Sequence, residues 1–315
     1  MKATFADRLA EAVTSRQSSL VVGLDPQLEK LPEELRACAA AAHVDPRIAA
    51  AAAIEAFDAA VIQEIAPFAV AVKPQIAYYE RWGPAGLTAY EHAVARAHSA
   101  GLLVIGDVKR GDIGPTAEAY AAAHLGTGLA PDVAADSERG HSLHADAITV
   151  NPYFGTDGLQ PFLNAARERS AGLFVLVRTS NASAGELQDL PVRGQPLHEH
   201  VAARVVAWGQ ELRGSHGYSS VGAVVGATAP RELARLRECM PGTWFLIPGV
   251  GAQGATAADV GPAFDRDGLG ALVNSSRGII YAYGSPKADD WRRSVREAAS
   301  RLRDELRTAA MQATP

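Results

Sequence analysis

The sequence predicts a (β/α)8 barrel, the TIM-barrel class, in which eight parallel strands close on themselves inside a ring of helices. Three observations lead there. Eight short apolar runs recur along the 315 residues, helix-like segments lie between them, and no linker-like stretch divides the series. Such alternation implies parallel strands joined by helical crossovers, because antiparallel neighbours could be joined by a tight turn. A doubly wound open sheet would show the same alternation and stands as the second reading.

Taken in order, the strand candidates are residues 20–24, 69–72, 102–108, 145–150, 173–177, 221–225, 244–247 and 271–273. Most are continuously apolar, the pattern of a parallel strand buried on both faces. Between them the helical patterns cover 54–65, 86–100, 116–124, 158–169, 197–212 and 231–240. Alanine tracts at 37–42, 49–53 and 119–123 read as helix filler, since alanine is the best helix former. Residues 26–46 and 125–144 fit no strand or helix of the repeat and are expected to be inserted segments. A charged amphipathic helix is expected from about Lys287, fraying at its end. The whole chain, 1–315, reads as one barrel domain.

Bulk composition narrows the function. Hydrophobic residues make up 48% of the chain, enough for a large core, and the net charge is −5 with a pI near 6.0. A nucleic-acid footprint would need a strong basic excess, so that class is excluded. Cys38 and Cys239 stand far apart, which offers neither a disulfide framework nor a zinc cluster and fits a reducing compartment. No run approaches the roughly 18–20 apolar residues of a membrane span. Residues 1–16 carry Asp7 and Glu11 and lack the apolar core of a signal peptide. A soluble cytoplasmic protein is expected.

Lysine carries the first catalytic hint. The chain holds 25 arginines but only Lys2, Lys30, Lys73, Lys109 and Lys287. A chain so biased should write arginine wherever charge alone matters; lysine differs in offering a compact ammonium with a transferable proton. Lys73 and Lys109 both end apolar runs, at the carboxyl ends of the second and third strands. The sharpest motif is Asp107-Val-Lys109-Arg-Gly-Asp112. Strand alternation predicts that Asp107 and Lys109 share one side, pointing into the barrel mouth. A lysine flanked by carboxylates stays protonated, because the negative charges favour its charged form. With Asp25 ending the first strand, four charged groups converge: Asp25, Lys73, Asp107 and Lys109. A structural ion-pair network at the rim is the competing account.

The second signal is Pro248-Gly-Val-Gly-Ala-Gln253-Gly254 after the seventh strand. It matches G-x-G-x-x-G, yet it lies late in the chain instead of opening a first βαβ unit, which excludes a dinucleotide fingerprint. Its free N–H groups could still cradle an anion, and barrels often bind phosphate after strands seven and eight. Arg277 follows the eighth strand and supplies a matching cation. Thr179-Ser180-Asn181, after the fifth strand, could hydrogen-bond a ligand or be a plain polar turn. His198, His200, His141 and His144 lack a third metal ligand at a recognised spacing and are expected to face solvent. No nucleophile elbow or Walker loop is present.

These residues together resemble the orotidine 5′-phosphate decarboxylase family, over about 20–283. The landmarks are Gly23-Leu-Asp25, Val72-Lys73-Pro74-Gln75, Asp107-Val-Lys109-Arg-Gly-Asp112-Ile113, Asn151-Pro-Tyr153, the Pro248–Gly254 run and Arg277. The Lys-Arg-Gly-Asp-Ile-Gly and Asn-Pro-Tyr forms are similar to a bacterial subgroup of longer chains. The resemblance implies conversion of orotidine 5′-monophosphate to uridine 5′-monophosphate and CO2 by a homodimeric barrel using no metal or cofactor. By position, Lys109 would protonate C6 and Asp107 would lie beside the departing carboxylate. Lys73 and Asp112 would complete an alternating charge array. Asp112, Ile113 and Thr116 would enter the partner subunit's site. Asp25 and Lys73 would hold ribose hydroxyls, Ser180 the pyrimidine, Gln253 both base and phosphate, and Arg277 the phosphate, with Pro248 in the same binding segment. Pro115 and the length of 127–144 depart from the family pattern.

Related barrels that decarboxylate or build sugar phosphates share D-x-K-x-x-D, but resemble magnesium enzymes with an acid where this chain has Lys73. A Schiff-base aldolase would need a lysine of depressed pKa, which neighbouring carboxylates oppose. A non-catalytic nucleotide-phosphate binding barrel is the reading from a different class.

Overall fold

The computed structural model describes residues 3–127, 142–227, 230–250, 255–288 and 290–313. Eight parallel strands close into a barrel: β1 Leu20–Leu24, β2 Ala71–Pro74, β3 Leu103–Arg110, β4 Ala147–Val150, β5 Gly172–Arg178, β6 Ser219–Val225, β7 Thr243–Pro248 and β8 Ala271–Ser275. Each pairs with its neighbours in sequence, and β1 closes on β8 through Leu20↔Val273 and Val22↔Ser275. Closure excludes the open sheet.

Two apolar layers hold the barrel. One residue from nearly every strand, including Val21, Ala71, Ile105, Ala147, Phe174, Leu246 and Leu272, packs inside with the helix Phe5–Arg16. That helix was not foreseen. It seals the amino-terminal mouth: Phe5 meets Phe174 edge to face at 6.1 Å, and Arg8 is paired with Asp146 just before β4. Gly172 makes room, since a Cβ there would fall 2.2 Å from the Phe5 ring. Burying a phenylalanine so completely contributes about 1.5–3 kcal/mol. A larger cluster lies between the strands and the outer helices.

Period two then decides what the opposite mouth presents. Counting two residues on from the apolar layer gives Gly23, Lys73, Asp107, Thr149, Leu176, Pro248 and Asn274, so the inward positions turn polar at the carboxyl ends. The segment 26–46 contains a 3-10 turn, Leu28–Lys30, and the helix Glu33–Ala42. The next helix, Pro46–Ile65, starts eight residues before its expected onset, with Pro46 in its first turn and Asp45 capping the Arg47 N–H at 2.7 Å. Of the segment 125–144, residues 128–141 lie outside the described ones. The last helix, Trp291–Ala313, packs against Pro46–Ile65, and Phe57 stacks on Trp291 at 5.5 Å. Among the described residues no helix is long and apolar enough to cross a membrane.

Candidate active site

Asp107 is the hub of the polar mouth. It is 6% exposed and every lone-pair direction is used. Its Oδ2 accepts from Lys73 Nζ at 2.5 Å and Gln75 Nε2 at 3.0 Å; its Oδ1 accepts from Lys109 Nζ at 2.5 Å and the Thr149 hydroxyl at 3.0 Å. Burial would raise the carboxyl's pKa, but the charges and hydrogen bonds of Lys73 and Lys109 outweigh it and hold the group well below the carboxylate range. Burial would likewise lower Lys73, yet Asp107 and Asp25 keep its ammonium above the ordinary lysine value. The two lysines differ in access. The Lys73 side chain is 7% exposed, that of Lys109 46%, so Lys109 is the ammonium a ligand can reach.

Lys109 reaches this position by a different route from the one expected. Simple alternation would carry it inward after Asp107, but its φ is +45° and the β3–β4 register shifts between Gly106 and Arg110. The strand bulges there. A non-glycine residue in the left-handed region costs on the order of 1–3 kcal/mol. The Lys109 N–H, turned from the ladder, donates to Thr149 Oγ1 at 2.9 Å, so one hydroxyl serves both the bulge and Asp107. Thr149 is therefore a site residue that the sequence reading missed. Its only signal was the inward parity of β4, two residues after Ala147.

Asp25 lies half-buried at the end of β1, near enough for its charge to act on Lys73. Its carbonyl accepts from the Tyr281 hydroxyl at 2.9 Å, while its buried Oδ1 has no hydrogen-bond partner among the described residues. Behind it, Asp58 is buried and accepts from the Tyr79 hydroxyl at 2.7 Å. Asn274, inward on β8, likewise keeps a buried Oδ1 without a hydrogen-bond partner among the described residues. The convergence of Asp25, Lys73, Asp107 and Lys109 is thus present.

Lys73, Asp107, Lys109, Thr149, Ser180 and Pro248 line a cavity of about 430 Å³, whose walls include Leu176, Val224 and Leu246. Arg277 is exposed at the rim, and its guanidinium has no hydrogen bond or ion pair among the described residues, although its carbonyl accepts from the Tyr281 N–H at 3.3 Å. Ser275 Oγ donates to the Val250 carbonyl at 3.2 Å and ties the segment after β7 to β8. Gln253 lies outside the described residues.

Asp112, Ile113 and Thr116 stand apart from this cluster. Asp112 Oδ1 accepts from the Ile113 N–H at 2.8 Å, Ile113 is 53% exposed, and Thr116 is exposed in the first turn of Gly114–Leu125, where Pro115 also sits without disrupting the helix. Within one chain the alternating array is Lys73–Asp107–Lys109, without Asp112. The histidine expectation needs a correction too. His198 is buried, its Nδ1 bonded to the Gln188 carbonyl at 3.0 Å, because the helix Leu197–Gly209 turns it against the preceding segment. His144 is only partly exposed.

Known proteins share this architecture and sequence. The chain is 43% identical over 310 residues to an orotidine 5′-phosphate decarboxylase of Rhodopirellula baltica, covering 96% of this chain and 99% of that protein. It is 41% identical over 311 residues to that of Deinococcus radiodurans, at 98% and 99% coverage. The solved structure of Leishmania donovani OMP decarboxylase superposes with a TM-score of 0.73, at 33% identity and 98% coverage of both chains. Residues 18–289, spanning every strand of the barrel and the whole charged mouth, match the model of one family, and the chain belongs to it: the Orotidine 5'-phosphate decarboxylase / HUMPS family.

Proposed function

We propose that this chain decarboxylates orotidine 5′-monophosphate to uridine 5′-monophosphate and CO2, a step of de novo pyrimidine synthesis, without metal or cofactor. The observation that carries the reading is the Lys73–Asp107–Lys109 chain lining the cavity, buried at Lys73 and Asp107 and accessible at Lys109. When the C6 carboxylate leaves, the bonding pair stays on C6 in the ring plane, where enolate delocalisation cannot reach it. A fixed ammonium beside C6 stabilises that charge as it develops and then transfers its proton to it. Lys109 is suited to this because its side chain lines the cavity and is nearly half exposed, yet its ammonium is oriented by Asp107. The amine then regains its proton from solvent.

The remaining roles follow position. Asp25 and Lys73 bind ribose hydroxyls, and the unpartnered Asp25 Oδ1 is a ready acceptor. Ser180 bonds the base, Pro248 and Gln253 face base and phosphate, and Arg277 holds the phosphate. Binding energy at that remote group orients the reacting carbon. Asp112, Ile113 and Thr116 reach a second subunit's site in a homodimer, supported by the exposed Ile113, Tyr153 (87% exposed) and Phe154 near this mouth. One barrel domain over 1–315 and a cytoplasmic location complete the reading, the latter supported by two unpaired cysteines.

Lys73 favours this activity over the magnesium-dependent sugar-phosphate barrels, where an acid would be needed. Its raised pKa opposes a Schiff-base role. The test is to add the protein and EDTA to orotidine 5′-monophosphate and follow pyrimidine absorbance. Turnover under chelation is expected; no turnover with or without Mg²⁺ would sink the proposal.

A further inference from the structure

The turn carrying Ser180 lies just beyond the point where β5 stops being held by its neighbours. The β5–β6 register shifts between Leu176 and Arg178, and the last ladder bond is Gly226 N–H to the Arg178 carbonyl at 2.7 Å. From Thr179 on, another group must hold the chain. That group is the Gln188 side chain: its Oε1 accepts from the Thr179 N–H at 2.8 Å, and its Nε2 donates to Thr179 Oγ1 at 2.8 Å. The Thr179 hydroxyl in turn donates a hydrogen bond to Asn181 Oδ1 at 2.6 Å. One amide thus takes the place of a missing strand on both faces of residue 179.

Gln188 is itself fixed. Its carbonyl is bonded to the buried His198, and Arg178, with a side chain 14% exposed, reaches Asp189 at 3.1 Å and Glu232 at 3.2 Å. On the far side Ser180 lies against the bare backbone of Gly226, where an added Cβ would stand 3.0–3.1 Å from Ser180 atoms. Apolar packing does little here, because Leu187, Leu190 and Val192 are 64%, 48% and 37% exposed. Polar bonds therefore hold the backbone that carries Ser180, two of them from the Gln188 amide and a longer one from Arg178 Nη1 to the Thr179 carbonyl at 3.5 Å.

We infer that Gln188 is a positioning residue for recognition of the pyrimidine: it aligns the Thr179–Ser180–Asn181 turn over the base without touching the ligand. The inference rests on the reading of Ser180 as the partner of the base. It is specific to that end of the ligand, since the phosphate and ribose groups are held by other strands.

The test compares two probes by titration, uridine 5′-monophosphate and ribose 5-phosphate, which lacks the base. Gln188→Ala should weaken the nucleotide roughly ten- to a hundredfold, the range expected when a buried N–H loses its acceptor. It should leave ribose 5-phosphate within about twofold, which also reports that the barrel is folded. Gln188→Glu keeps the acceptor for the Thr179 N–H and should restore nucleotide binding to within a few-fold of the parent, with KM for the substrate following the same order. A parent that does not prefer the nucleotide to ribose 5-phosphate would undo the reading of Ser180. A parent that does, with Gln188→Ala showing the same preference or losing both probes equally, would overturn the role of Gln188.

Discussion

Replacing Asp58 by asparagine should change how stability depends on pH, with little change near Lys73 and Lys109. Burial, reinforced by the charges of Asp25 and Glu55 and opposed by the Tyr79 hydrogen bond, pushes this carboxyl from 3.8 up to about 7. Between those values the folded chain keeps a proton that the unfolded chain has lost. Stability is therefore fully present below pH 3.8 and is lost as pH rises through 7. At 1.36 kcal/mol for each pH unit, the loss is about 4 kcal/mol, a large share of the 5–15 kcal/mol typical of a whole domain. His124 acts in the opposite sense. Burial, with Arg110 and His144 nearby, holds its imidazole at about 4 against 6.5 when unfolded, so stability is lost as pH falls from 6.5 to 4. That contribution is about 3 kcal/mol.

In the parent the two slopes oppose each other across pH 4–6.5, and His144, its imidazole also held low by burial, adds to the rising one. Asp58→Asn removes the falling one and leaves the Tyr79 hydroxyl an amide oxygen to bond. From pH 4.5 to 6.5 the variant should then gain about 3 kcal/mol more stability than the parent does. Asp7, Asp107 and Asp146 all have lowered pKa values and lose their contributions only in stronger acid. Urea denaturation at pH 4.5, 5.5, 6.5 and 7.5 measures both curves. Parallel curves for parent and variant would show that Asp58 is ionised in the folded chain and refute the reasoning.

The other predictions concern the charged mouth. Lys109→Ala should lower kcat by at least about 10²–10⁴, the range of a lost general acid, with uridine 5′-monophosphate affinity within a few-fold of the parent by calorimetry; equal turnover would remove Lys109 as proton donor. Arg277→Ala should raise KM roughly tenfold or more through one lost charge-assisted contact, and an unchanged KM would contradict its phosphate role. Thr149→Val strips the Lys109 N–H and Asp107 of a shared partner, so it should cost about 1–3 kcal/mol in urea denaturation and lower kcat. Thr149→Ser should recover both; a valine variant as stable and active as the parent would show that the bulge does not need that hydroxyl.

The sequence alone determined the eight βα units and the identity of the polar mouth, while closure of the barrel against an open sheet was decided by the pairing of β1 with β8. Runs such as 20–24 and 221–225 are strands because nothing but burial on both faces suits them, and their order leaves little choice of topology. Asp107 and Lys109 were legible because a charged pair ending an apolar run must meet a partner or a ligand at the barrel mouth. Lys73 was legible for the same reason, in a chain that otherwise writes arginine. What only the tertiary structure decided was how those groups meet. Asp107 joins Lys73 across a strand pair 34 residues apart in sequence, and Lys109 joins them through a bulge that local propensity would disfavour. Thr149 and the sealing helix Phe5–Arg16 act through contacts with distant segments. Their side chains are ordinary by type, and their roles exist only once closure of the barrel has put a buried N–H, a carboxylate or an open mouth within reach.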